Sequence, residues 1–235
     1  MNYIEDYSPN HSKKSRFKKN IKFVIIHYTG MQSEIESINR LKNPKFKVSC
    51  HYLINRRGDI IQLVKDRYIA WHAGKSKWKK FINLNSSSIG IELTNKGHQF
   101  GYENFNNKQI NSLIRLCKNL KKKYNLKKEN FLGHSDIAPL RKNDPGEKFP
   151  WKKLSAHNLG CWYSTKKYKF KNKSNALIKI LFFKNLYKLG YRYFDLKRRN
   201  VRDKKVIKAF QQHYLPNNVN GKIDKKTFKI SHFLT

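Results

Sequence analysis

The stretch GHSDIAPLRKNDPG, Gly133 to Gly146, places His134 and Asp144 ten positions apart, with Lys142 two residues before the aspartate. A neutral imidazole nitrogen beside an anionic carboxylate oxygen suits a borderline cation such as zinc. A catalytic zinc takes three protein ligands and keeps a fourth position for water. His134 and Asp144 are therefore two-thirds of a site, and the third ligand has to come from elsewhere in the chain. Pro139, Pro145 and Gly146 exclude a continuous helix here, which predicts a stiff loop.

Four other segments carry side chains capable of chemistry. His27 directly follows the apolar run Phe23 to Ile26, whose β-branched content reads as a central buried strand. It is either a satisfied core histidine or a group delivered to the carboxyl end of a sheet, where α/β proteins place their chemistry. In SIGIEL, Ile89, Ile91 and Leu93 alternate with Gly90 and Glu92, so period two turns Glu92 away from its apolar neighbours, toward water or toward a cleft. His51 opens the first strand of a hairpin, Tyr52 to Ile54 and Ile60 to Val64, turned around Gly58. Trp71 and His72, in AWHAG, suit either the wall of a groove or ordinary core packing.

The remaining elements are scaffold. A short helix is expected over Ser33 to Leu41 with Ser33 as its cap. The clearest helix runs from Asn106 to Tyr124, with Ile110, Leu113, Ile114, Cys117, Leu120 and Tyr124 on one face and basic residues opposite. Phe131 and Leu132 make a brief strand that delivers His134 as the earlier strand delivers His27.

Composition bounds the partners. With 52 Lys and Arg against 15 Asp and Glu, the net charge of +37 favours polyanions, but the lysines are spread along the chain rather than gathered on one stripe. No recognition helix for a specific nucleic-acid partner is specified. Three cysteines with no CxxC pair indicate neither a disulfide framework nor a cysteine-rich metal site. No apolar stretch is long enough for a transmembrane segment or a signal peptide.

VIIHYTG, SCHYLINRRGDIIQLV, AWHAG, SIGIEL and GHSDIAPLRKNDPG, in that order over about residues 20 to 160, resemble the zinc-dependent N-acetylmuramoyl-L-alanine amidases. That resemblance implies an α/β fold with a mixed central β-sheet flanked by helices, and one Zn2+ per chain held by His27, His134 and Asp144. It implies Glu92 as general base and Lys142 as the partner of the oxyanion, with Tyr28, His51, Trp71 and His72 as substrate-binding candidates. The implied reaction cuts the amide between N-acetylmuramic acid, or its anhydro form, and L-alanine in peptidoglycan or muropeptides. The alternative is a non-catalytic peptidoglycan-recognition module. Cys50 stands where phage members have a tyrosine, so no tyrosine role is carried over.

Four regions are expected: an arm over 1–20, the amidase domain over 21–164, a basic linker over 165–173 and a small three-helix domain over 174–235. In the last, AFQQHYLPNNVNGKIDKKTF resembles helical peptidoglycan-binding domains, and a cap that only stabilises the amidase is the alternative. With this tail the chain is similar to the AmiD-type branch, whose enterobacterial members are outer-membrane lipoproteins. The chain as written reads as cytoplasmic, the resemblance as periplasmic or outer-membrane-associated, and a monomer is expected.

Overall fold

The computed structural model of the protein describes residues 3–164 and 174–235. Its centre is a six-stranded sheet in the spatial order β1 (Ile4–Glu5), β4 (Ile60–Gln62), β3 (Tyr52–Ile54), β7 (Ser88–Leu93), β2 (Phe23–Tyr28), β8 (Phe131–Gly133). β2 runs parallel to β7 and β8, and β3 runs parallel to β7, while β3 and β4 form the expected antiparallel hairpin. The sheet is therefore mixed. A two-stranded ribbon, β5 (Lys77–Trp78) and β6 (Phe81–Ile82), stands apart from it.

Strand alternation sorts the side chains onto two faces. Val24 and Ile26 of β2, with Ile89, Ile91 and Leu93 of β7, pack against Ile110, Leu113, Cys117 and Leu120 of α2 (Asn107–Tyr124). Asn106 caps that helix by accepting from the Gln109 amide at 3.0 Å. The opposite face carries Phe23, Ile25 and His27 of β2 beside Ser88, Gly90 and Glu92 of β7, residue against residue. One face is thus oil throughout, and the other changes from oil to chemistry at its carboxyl end.

α1 (Glu34–Lys42) begins with a capping box between Ser33 and Glu36. The 133–146 stretch is not loop from its first residue: His134–Ile137 form one helical turn, α3, which stops before Pro139. α4 (Trp151–Ala156) closes this part of the chain. α5 (Asn175–Leu189), α6 (Asp203–Tyr214) and α7 (Lys225–Phe233) follow, with α6 starting two residues later than its apolar pattern suggests. Asp224 caps α7, accepting from the Thr227 amide at 2.7 Å.

These last three helices do not bury a core of their own. Phe182, Leu186, Phe210, Tyr214 and Phe228 join Phe23, Ile25, Leu132 and Ile137 of the sheet side in one buried cluster. The arm also packs: β1 pairs with β4, and the buried Arg16 guanidinium donates to the carbonyls of Asp66, Asn85, Ser86 and Ser88. Met1, Asn2 and the expected linker over 165–173 lie outside the described residues. Among the described residues no helix is long and apolar enough to cross a membrane.

Candidate active site

Three parallel strands end at one point. His27 is the penultimate residue of β2, Glu92 lies directly beside it in β7, and His134 follows the last residue of β8. The returning loop brings Asp144 to the same place, anchored by the Ser135 amide donating to the Asp144 carbonyl at 2.8 Å. His27 Nδ1 and His134 Nδ1 are 2.9 Å apart, and each lies 3.0 Å from Asp144 Oδ2. All three residues are buried.

The outer ring nitrogens have partners of their own. His134 Nε2 lies 3.2 Å from the Ala73 carbonyl and 3.3 Å from Arg141 Nη2, so an acceptor and a donor both face that nitrogen, while Nδ1 faces Asp144. His27 Nε2 lies 3.0 Å from His72 Nδ1. Burial first, and the neighbouring His134 second, push the His27 imidazole down to about 4 against the pull of Asp144, so it is neutral at pH 7. Burial would raise the Asp144 carboxyl, but His134 and His27 hold it well below the usual carboxylate range. Two imidazole nitrogens and a carboxylate oxygen thus converge on one point, with Asp144 Oδ2 within hydrogen-bonding distance of both rings. A cation at that point would be within reach of all three atoms, and two imidazoles with one carboxylate are a zinc donor set.

Glu92 is partly exposed as a residue, but its Oε2 is buried without a hydrogen-bond partner. Burial, then the charge of Asp144, drives its carboxyl well above the ordinary range, and Lys142 partly offsets this. Such a carboxyl is tuned to take up a proton. Lys142 lines the same cavity, which has a volume of about 640 Å³. The rim is cationic and aromatic, with Arg40, Lys96, His98, Phe100 and Arg141. Tyr28 lies on its wall and is tied through its hydroxyl to His98 Nδ1 at 2.9 Å, while His98 Nε2 meets Glu147 at 3.0 Å.

The substrate-binding candidates separate. Tyr28 and His72 line the cavity, but Trp71 and His51 do not. His51 is fully buried, where its Nδ1 accepts from the Gly90 amide at 3.0 Å, so it has no surface to offer a ligand. Trp71 is partly exposed, and its amide is held by Ser49 Oγ at 2.9 Å. Cys50 is buried, and burial pushes its thiol well above the ordinary range. Sequence reasoning missed Arg141, Lys96 and His98 on the rim, and Asn85, whose Oδ1 accepts from the amides of His72 and Ala73 at 3.1 and 2.6 Å. For Asn85 the one available signal was an amide just ahead of a strand, in a segment that otherwise reads as turn.

Residues 17–147 match the family model described as N-acetylmuramoyl-L-alanine amidase. The chain belongs to the N-acetylmuramoyl-L-alanine amidase family. The amidase is 37% identical over 229 residues to the N-acetylmuramoyl-L-alanine amidase AmiD of Escherichia coli K12, covering 91% of this chain and 82% of that one. It is 33% identical over 164 residues to the 1,6-anhydro-N-acetylmuramyl-L-alanine amidase AmpD of Haemophilus influenzae, covering 62% and 86%. Among solved structures it resembles E. coli AmiD in complex with anhydro-N-acetylmuramic acid-L-Ala-D-γ-Glu-L-Lys, at a TM-score of 0.79 and 32% identity over 95% of this chain and 91% of that one. It resembles AmpDh3 of Pseudomonas aeruginosa at 0.78 and 30%, over 100% and 98%. At these coverages both likenesses take in C-terminal helices as well as the sheet. The amidase fold expected from the motifs is the fold observed, and the chain is an enzyme that hydrolyses the bond between muramic acid and L-alanine.

Proposed function

We propose that His27, His134 and Asp144 hold one zinc ion and that Glu92 and Lys142 carry out the proton and charge transfers of muramyl-L-alanine amide hydrolysis. The observation that carries this reading is the set of three inward-facing donors, 2.9–3.0 Å apart, on the floor of a cavity that also holds Glu92 and Lys142. A zinc ion bound there would supply a water acidified to near neutrality and polarise the scissile carbonyl. Glu92 accepts a proton from the attacking water as the water oxygen bonds to the lactyl carbonyl carbon. It then gives the proton to the alanine nitrogen as the C–N bond breaks, leaving a carboxylate and a free amine. Lys142 faces the negative charge that develops on the carbonyl oxygen. One chain holds the whole set, so a monomer suffices.

The substrate class is peptidoglycan-derived muropeptides, a reading supported by the anhydromuramyl peptide bound to the AmiD relative. Digestion of intact and anhydro-muropeptides, followed by mass analysis, is expected to show the stem peptide separated from the muramyl sugar. Chelator should abolish the reaction and added zinc restore it; cleavage that survives thorough chelation would sink the zinc assignment.

Residues 174–235 are assigned, on their motif, to peptidoglycan binding as a fixed part of the enzyme. The motif's Gln211 is internal, accepting from the Gly221 amide at 2.7 Å and donating to the Lys222 carbonyl at 2.9 Å. Sedimentation with insoluble peptidoglycan should retain the protein at 0.15 M and at about 0.5 M salt, where the Debye length falls to a few ångströms. Release at the higher salt would reduce the binding to charge attraction.

A further inference from the structure

Behind the ligands lies a chain of hydrogen bonds whose direction is fixed at its far end. The Leu84 carbonyl can only accept, so Ser88 Oγ, 2.6 Å away, gives it its proton. Ser88 Oγ is then left to accept from His72 Nε2 at 3.3 Å. A neutral His72 with its proton on Nε2 has a lone pair on Nδ1, which lies 3.0 Å from His27 Nε2. His27 thus stands between two acceptors at the same distance, His72 Nδ1 opposite its Nε2 and Asp144 Oδ2 opposite its Nδ1, and the His72 chain pulls the proton toward Nε2, the nitrogen that faces away from His134 and Asp144.

Two further contacts hold this chain in place. A Cβ added at Gly90 would lie 2.4 Å from His72 Cγ, so the ring occupies room that only glycine leaves in the middle of β7. Asn85 Oδ1 accepts from the amides of both His72 and Ala73. That side chain clamps the two residues whose acceptors, His72 Nδ1 and the Ala73 carbonyl, face the outer nitrogens of the two histidine ligands.

We propose that His72 is a positioning residue: through the Leu84–Ser88–His72 chain, seated on Gly90, it fixes the tautomer in which His27 offers Nδ1 to the metal. This rests on the zinc reading above for its consequence, but not for its geometry. His72 lines the cavity, and its Nδ1 meets His27, so the role assigned to it is toward the ligand rather than the substrate.

The test uses the full chain and two readouts. In zinc-free protein with 15N-labelled histidine, two-bond nitrogen–proton correlations report which ring nitrogen of His27 carries the proton. The wild type should carry a larger share of it on Nε2 than H72L, in which the population shifts toward Nδ1 and its partner Asp144. Zinc affinity by chelator competition should fall about 10–100-fold in H72L, the usual cost of losing such a partner. H72N, which keeps an acceptor near the Nδ1 position, should recover most of that loss. G90A, which leaves every hydrogen-bonding atom in the chain but displaces the ring, should resemble H72L and covers the case in which H72L does not fold. An unchanged His27 tautomer together with zinc affinity within about threefold of wild type in H72L or G90A overturns the proposal. If wild type itself bound no zinc, the zinc reading would fail, and the tautomer measurement would still decide the proposal by itself.

Discussion

Replacing Glu92 with glutamine is expected to lower turnover by about 10²–10⁴-fold, the range of a general acid–base contribution, while zinc content stays at the wild-type level. The change removes one proton-accepting oxygen and leaves the shape of the side chain and all three proposed ligands intact. The same variant should be more stable than wild type when free of metal at neutral pH. Burial, then Asp144, pushes the Glu92 carboxyl above its ordinary range, so the folded state binds that proton more tightly than the unfolded chain does. The associated stability is fully present below the unfolded glutamate value of about 4.3 and is lost as pH rises through the higher folded value. Glutamine has nothing to lose, so zinc-free E92Q should melt above wild type at pH 7–8 and level with it near pH 4. Turnover within tenfold of wild type would remove Glu92 from the mechanism.

D144A should be more damaging. It takes away the one anionic donor of the proposed ligand set, leaving two imidazoles that face each other at 2.9 Å. Metal stabilisation of the reacting carbonyl is worth several kcal/mol, on the order of 10³-fold or more in rate, and all of it goes with the ion. Binding linkage gives an independent measure. At a free zinc concentration of 100 times its Kd, wild type should gain about 2.7 kcal/mol of stability, seen as a rise in Tm. D144A should show no such rise at the same zinc. A variant that kept both its thermal shift and its turnover would place the metal elsewhere.

Much of this site is legible in the sequence because strand ends and loop chemistry are local signals. The apolar run before His27, the period-two pattern around Glu92 and the proline-bounded stretch from His134 to Asp144 each name a residue and the face on which it stands. The amidase motifs then join them. The role of His72 is not legible in the same way. It depends on a missing side chain at Gly90, on another strand, and on a carbonyl at Leu84 that no residue type announces. His51 misleads for a related reason: a histidine opening a strand reads alike whether its ring meets substrate or accepts the Gly90 amide. The three C-terminal helices are plain from their periodicity, but the surface they cover is not, since part of the contact is polar. Tyr191 and His213 both reach Asp136, which also accepts from the Gly133 amide at 2.8 Å.

Asp136 lies two residues after the ligand His134, and its carboxylate is buried among those three groups. The order of synthesis gives that contact a further meaning. A nascent chain halted anywhere between Asp144 and Tyr191 already contains His27, Glu92, His134, Lys142 and Asp144, but Asp136 then has only the Gly133 amide for company. Such a fragment holds every group the chemistry asks for and a buried carboxylate with two of its three partners still to be translated. The last of those partners, His213 of α6, is made 69 residues after Asp144 (213 − 144), so the buried carboxylate beside the ligand is completed by a part of the chain that carries none of the proposed chemistry.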